Sequence, residues 1–258
     1  VERENMVKSV SRALDIITLV SSKKGGLGVT EIAKQMDINK SSVYRILITL
    51  VQYGYVEQDK ETGRYKLGYK FLEISSKLLD SIDLRSEAKP YLQELENATN
   101  EVIHLVVYDQ GEVVYIEKLE GNETLRMHSK VGKRAPMHCT SVGKAILAYL
   151  PSGVVLDILE RKGMPIHTDK TITNKDDFIQ ELARVKQKGY ALDLEENEYG
   201  ITCIAVPIFD HLEKVNAAVS ISGPTMRMTD ERMETLQMQM LHIGKQISTR
   251  LGYGSRIS

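Results

Sequence analysis

Apolar positions in the first seventy residues recur at helical spacing and then change to short β-rich runs. Val10, Leu14, Ile17 and Val20 fall on one face of a helix predicted over Val7 to Ser22, with Ala13 and Ile16 beside them. Lys23-Lys24-Gly25-Gly26 stops that helix. A second, shorter helix over Val29 to Met36 turns Ile32, Ala33 and Met36 inward. Asp37 to Lys40 is a turn, in which Asn39 is a good N-cap for a third helix, Ser41 to Tyr53. That helix buries Val43, Ile46, Leu47 and Leu50; its other face carries Lys40, Ser41, Ser42, Tyr44, Arg45 and Thr49. Gly54 to Gln58 and Gly63 to Leu67, joined by Asp59-Lys60-Glu61-Thr62, read as a β-hairpin.

Beyond it, Gly68 to Ser81 is an amphipathic helix, and Ile82 to Asn100 a second one that Pro90 kinks or starts. The period then shortens. Val102 to Tyr108 and Glu112 to Leu119 form a hairpin across Asp109-Gln110-Gly111, and Thr124 to Ser129 supplies another strand. Lys130 to Met137 reads as a loop, followed by helices over Ser141 to Leu150, Val154 to Arg161 and Asp176 to Lys188. Strands over Ile201 to Phe209 and Val215 to Ser222 precede a Met-rich helix, Thr229 to Leu251. Hairpins, then helices, then strands imply an α+β body with an antiparallel sheet.

Composition sharpens this picture in two places. The formal net charge of −1 averages two unlike parts. Residues 1–70 carry 12 Lys+Arg against 8 Asp+Glu, whereas the remainder carries 22 against 27. A basic head on an acidic body suits a phosphate-binding module attached to one that does not touch nucleic acid. The two cysteines, Cys139 and Cys203, are too few for a disulfide framework and fit a reducing cytoplasm. No apolar run reaches the roughly 18 residues a membrane span needs, and Val1 to Ser11 lacks the apolar core of a signal peptide.

Two short helices across a tight turn, the second opening on hydroxyls and cations, make a helix-turn-helix whose second helix enters the major groove. The hairpin after it is a wing, offering Lys60, Arg64 and Lys66 to phosphates. A three-helix unit with a solvated polar face leaves a similar pattern; the basic hairpin in this position favours double-stranded DNA.

Nearly the entire chain resembles the IclR family of bacterial transcription regulators. The resemblance is carried by Val7-Lys8-Ser9-Val10-Ser11-Arg12-Ala13-Leu14 and Lys40-Ser41-Ser42-Val43-Tyr44-Arg45-Ile46-Leu47 in the head. In the body it is carried by Gly132-Lys133-Arg134-Ala135-Pro136-Met137-His138, by Ser141-Val142-Gly143-Lys144-Ala145-Ile146-Leu147-Ala148, by Glu195 to Pro207 and by Ser220-Ile221-Ser222-Gly223-Pro224. It implies a winged helix-turn-helix over residues 1–68, a linker helix over 69–82 and a GAF-like effector domain over 83–258. It also implies a repressor, assembled as a homodimer or dimer of dimers, with no cofactor and no membrane association. Val114 to Lys118, Leu125 to Ser129 and Leu251-Gly252-Tyr253 look closest to the KdgR-like subgroup, whose inducer is 2-keto-3-deoxygluconate. Another small carboxylic acid is the alternative effector.

Carried over residue by residue, the resemblance implies DNA contacts from Asn39, Lys40, Ser41, Ser42, Tyr44, Arg45, Thr49, Lys60 and Arg64. It implies an effector pocket of Met127, Ala135, Ser141, Val142, Asp193, Ile201, Cys203, Ser220 and Ser222. The chemistry suits an organic acid: a helix start attracts a carboxylate, and Ser220 and Ser222 share one strand face. Each residue has a plainer role available. Cys203 reads equally as a small buried hydrophobe, Ser220 as a backbone partner and Asp193 as the cap of a turn before Glu195.

Three rivals frame these expectations. Cys139 and Cys203 would serve a redox enzyme, Cys139 being the more reactive because it lies beside a helix start, but no Cys-x-x-Cys spacing exists. His104, His128, His138 and Cys139 would serve a metal, yet no pair has i, i+4 spacing, and in a strand the adjacent His138 and Cys139 would face opposite ways, so a metal is taken as incidental. A pure protein-interaction module predicts no effect of any small ligand on DNA binding.

Overall fold

A computed structural model describes residues 7–74, 83–121 and 129–254, and the chain divides into two units, Val1–Ile82 and Asp83–Ser258. The smaller unit packs three helices, α1 (Lys8–Ser21), α2 (Val29–Met36) and α3 (Lys40–Gln52), against a hairpin of β1 (Val56–Gln58) and β2 (Tyr65–Leu67). Its core joins Ile16 and Val20 of α1 to Ile32, Val43, Leu47, Val56 and Tyr65, all nearly inaccessible. Leu27 binds Tyr65 through both backbone groups (2.9 and 2.8 Å), which fastens the wing to the segment entering α2.

The buried stripe of α1 is rotated from the one expected. Ile16 and Val20 are buried, whereas Val10 and Leu14 are 55% and 59% exposed, because contact with α3 and β2 is made by the C-terminal half of the helix. Asn39 holds the N-cap position of α3, but its side chain makes no capping hydrogen bond. Residues 70–74 are helical; the rest of the expected linker helix lies outside the described residues.

The larger unit is a three-layer arrangement on a six-stranded antiparallel sheet. Helix α4 (Leu84–Thr99) precedes the hairpin β3 (Val102–Asp109) and β4 (Glu112–Leu119). Next come β5 (Arg134–Pro136), α5 (Ser141–Leu147), α6 (Ser152–Lys162) and α7 (Lys175–Lys188). Strands β6 (Ala191–Leu194), β7 (Ile201–Phe209) and β8 (Val215–Pro224) and the long α8 (Asp230–Arg250) complete it. Strand order is β5-β4-β3-β8-β7-β6. Two of these strands correct the sequence reading. Arg134–Pro136 pairs with Glu112 to Val114 inside the expected loop, and Ala191–Leu194 pairs with Thr202 to Ala205 at the opposite edge. Both are too short for alternation to register. Helix α4 runs seven residues deep to Pro90 and continues past it, so Pro90 does not mark the first turn. The expected strand Thr124 to Ser129 lies almost entirely outside the described residues.

Period-two alternation gives each sheet face its own core. Ile103, Leu105, Ile204, Val206, Val219 and Ile221 meet α4 and α8 on one face. Val106, Val113, Ala191, Ala205 and Ala218 meet α5, α6 and α7 on the other. Helix α5 is buried along its whole length, and it sits close because Gly143 has no Cβ: one built there would lie 2.3 Å from the Met137 carbonyl oxygen and 2.4 Å from its Cα.

Gly143→Ala is therefore expected to destabilise the protein by about 3 kcal/mol or more in urea unfolding, since the clash is with backbone that cannot step aside. Gly153→Ala, inside α6 with open space around it, serves as the control and should be neutral or stabilising by up to about 1 kcal/mol.

Candidate effector cavity and nucleic-acid interface

The face of the sheet under α5 changes chemistry partway along its strands. Its apolar part is the core just described. Continuing along the same face, β6 presents Asp193, β7 Cys203, β8 Ser220 and Ser222, and β3 His104. The register explains the grouping: Asp193 lies opposite Cys203, Cys203 opposite Ser222, and Ser220 opposite His104. Three consecutive strands and the distant β3 thus deliver one polar row.

Above that row is a cavity of about 260 Å³. Ala135, Ser141, Val142, Asp193, Ile201, Cys203, Ser220 and Ser222 all line it. Met127, the ninth residue expected there, lies outside the described residues. The wall also holds His104, Tyr115, Thr140, His167 and Asn197, which the sequence reading did not include, together with Ser129, Lys133, Arg134, Pro136 and Glu198. His104 and Tyr115 were accessible only through strand register. They stand edge to face with ring centroids 4.9 Å apart.

The electrostatics of the cavity follow from burial. His104 is held neutral, its pKa depressed to about 3 by desolvation and by the nearby Lys118. Its Nε2 lies 2.7 Å from the Ser129 hydroxyl, and its Nδ1 is 3.4 and 3.5 Å from those of Ser222 and Ser220. Asp193 is pushed up to about 7 by desolvation, against the opposing effect of two backbone donors. Those donors are the amides of Glu196 (2.8 Å) and Asn197 (3.3 Å), both on Oδ1, so Asp193 caps the turn after β6 and also faces the cavity. Burial raises the Tyr115 hydroxyl and the Cys203 thiol as well. At neutral pH the polar row is therefore largely uncharged, rich in hydroxyls, and able both to donate and to accept.

Helix α5 closes the site from above. Thr140 caps it, its hydroxyl donating to the Pro136 carbonyl (2.6 Å) and accepting from the Gly143 amide (3.2 Å). Lys144, 1% exposed, makes an ion pair with Glu196 and lies 3.9 Å from Glu181 of α7. Burial raises the Glu196 carboxyl, and Lys144 opposes that rise.

Cys139 does not have the activated thiol expected from its place before α5. It is fully buried, and desolvation together with Asp193 and Glu196 pushes its pKa up to about 12. His104, counted among the metal-ligating candidates, belongs to the polar row, and His128 lies outside the described residues. His138 and Cys139, in irregular backbone rather than a strand, instead converge with His167.

In the smaller unit, Asn39, Lys40, Ser41, Tyr44, Arg45 and Thr49 are exposed, Ser42 is half-buried, and Lys60 is exposed at the hairpin tip. The Thr49 hydroxyl is returned to its own helix through the Arg45 carbonyl (3.1 Å). Arg64 departs from expectation. Its Nε donates to the Gly26 carbonyl (3.1 Å) and its Nη2 pairs with Glu31 (3.0 Å), which in turn accepts from the Gly28 amide (2.7 Å). Arg64 thus clasps the wing to α2 instead of standing free for phosphate, because its position on the hairpin faces the α2 entry. No described helix is long and apolar enough to cross a membrane.

Residues 9–60 match the family description "IclR helix-turn-helix domain", and residues 76–249 match "Bacterial transcriptional regulator IclR C-terminal". The chain is 38% identical to the HTH-type transcriptional regulator XynR of Escherichia coli over 96% of its length and 98% of that protein's. It is 35% identical to the HTH-type transcriptional regulator KdgR of the same organism, over 98% and 95% respectively. The crystal structure of Thermotoga maritima IclR superposes with a TM-score of 0.65 at 35% identity, covering 95% of this chain and 99% of that one.

The raised Asp193 carboxyl carries a pH signature. Folding favours its protonated form, so its contribution to stability is complete below the unfolded pKa near 4 and is lost as pH rises through about 7. Denaturant unfolding from pH 4 to 8 should show wild type losing stability, at up to about 1 kcal/mol per pH unit, relative to Asp193→Asn, which keeps the turn-capping oxygen. Parallel pH profiles for the two proteins would contradict the assignment.

Proposed function

Because the chain belongs to the IclR family of bacterial transcription regulators, we propose that it is a repressor released from operator DNA by a small polyhydroxylated carboxylic acid. It is a DNA-binding regulator and not an enzyme. The observation that carries the ligand class is the polar row: hydroxyls, a neutral imidazole and a carboxyl near neutrality gathered from four strands beside a cavity of about 260 Å³. A sugar-derived acid brings hydroxyls that can exchange hydrogen bonds with this row, whereas an aliphatic or aromatic acid brings only its carboxylate. Lys133 and Arg134 stand in the same wall, Arg134 ion-paired with Asp109 and 3.6 Å from Glu112. Similarity to KdgR makes 2-keto-3-deoxygluconate the first acid to test; XynR is more similar, at 38% against 35% identity, so the class stands ahead of the compound.

On the DNA side, Lys40, Ser41, Tyr44 and Arg45 form the exposed face that α3 lays into the major groove, with Asn39 and Ser42 at its start and Lys60 on backbone phosphates. The protein acts as a homodimer or dimer of dimers on a two-part operator. Val10 and Leu14, apolar and exposed, are residues such pairing would cover.

Fluorescence anisotropy on an operator duplex, selected from the DNA upstream of the gene, tests both halves. Arg45→Ala should weaken DNA binding about 10- to 100-fold and leave acid binding intact. Ser222→Ala should leave DNA binding intact and blunt release by the acid. The acid should also act less well at pH 8 than at pH 6, since Asp193 gains negative charge over that interval, and Asp193→Asn should level the difference. Operator affinity that no sugar acid changes, in a folded protein, sinks the ligand half; an unaltered Arg45→Ala affinity sinks the DNA half.

A further inference from the structure

We propose that His138, Cys139 and His167 bind one transition-metal ion of the Zn²⁺ class in the wall beside the cavity. One nitrogen of each imidazole and the thiol sulfur lie within 4.8 Å of one another. A tetrahedral ion bound at about 2.0–2.3 Å holds its ligand atoms nearer to about 3.5 Å apart, so closure asks for roughly an ångström of side-chain movement.

The hydrogen bonding around the three residues already suits ligation. His138 Nε2 lies 3.0 Å from the Pro165 carbonyl oxygen, which can only accept, so Nε2 bears the proton and Nδ1 keeps its lone pair. Among the described residues Nδ1 has no hydrogen-bonding partner. A backbone carbonyl on the far nitrogen is the usual way a metal-binding histidine is oriented. The Cys139 sulfur has only a long contact, 3.5 Å, to the Asn197 amide oxygen. The His167 ring has no described hydrogen bond, and its centroid stands 5.8 Å from that of His138.

Both supports are rigid. His138 and Cys139 immediately precede the Thr140 cap of α5. The His167 amide donates to the Thr171 hydroxyl (3.0 Å), and that hydroxyl donates to the Glu196 carbonyl (2.6 Å). Thr168 adds a bond from its hydroxyl to the Glu195 carbonyl (2.6 Å). The loop bearing His167 is therefore tied to the turn after β6. His167 is exposed and gives the ion a way in, while the other two ligands are buried.

Two imidazoles and a thiolate select a borderline-soft ion over Mg²⁺ or Ca²⁺, which need oxygen. As the sulfur–metal bond forms, the thiol proton passes to solvent. Three protein ligands leave a fourth position for water or another oxygen, and one of the three, His167, also lines the cavity.

The test uses the full chain, free of any affinity tag and stripped with a chelator, with Zn²⁺ titrated against a chromophoric competitor in the absence of DNA and organic acid. One ion per chain at micromolar or lower Kd is expected. His167→Ala, a surface change, should weaken it at least tenfold. Co²⁺ in place of Zn²⁺ should give a thiolate charge-transfer band that Cys139→Ser abolishes. Sub-stoichiometric binding, affinity unmoved by His167→Ala, or a Co²⁺ spectrum without the thiolate band each overturns the site. Should Cys139→Ser fail to fold, the His167→Ala titration and the wild-type Co²⁺ spectrum still decide.

Discussion

The larger unit is organised around a charge that water cannot reach. Lys144 sits on a helix buried on every side, and its ammonium is balanced by Glu196, with Glu181 further off. Removing either partner alone would strand a charge in a low-dielectric interior, at a cost of several kcal/mol. The pair therefore holds α5 and the turn after β6 in one relative position. That turn carries Asn197 and Glu198 into the cavity wall, and Asp193 caps it through its amides. The cavity's roof and one of its sides are consequently set by a single electrostatic constraint, reinforced by the close approach that Gly143 permits.

A second consequence of this arrangement is that the cavity and the helix packing share one sheet face without competing. Residues such as Ala205 and Ala218 seat the helices, and a few positions along the same strands Cys203, Ser220 and Ser222 face a ligand-sized space. Alternation alone keeps both sets on that face, while the opposite face packs its apolar side chains against α4 and α8.

The helices and the long strands were legible in the sequence because their burial repeats over several turns or pairs. Val29–Met36 and Ile201–Phe209 fall where the pattern places them. Three-residue Arg134–Pro136 and four-residue Ala191–Leu194 offer too few positions for a period, and Pro136 and Arg134 argue locally for a loop. The site divides in the same way. Eight of the nine effector residues drawn from family likeness line one cavity. His104 and Tyr115 escaped because only their pairing with β8 and across the hairpin brings them there, and pairing register is not a local property. The thiol of Cys139 shows the converse error. Proximity to a helix start suggested activation, and burial outweighed it.

The clasp made by Arg64 bears on how the head meets DNA. A cation gains affinity for a duplex chiefly by displacing condensed counterions, about one for each phosphate it neutralises. An arginine already balanced by Glu31 and a backbone carbonyl displaces few of them. The wing is thus fixed in shape at the expense of non-specific attraction.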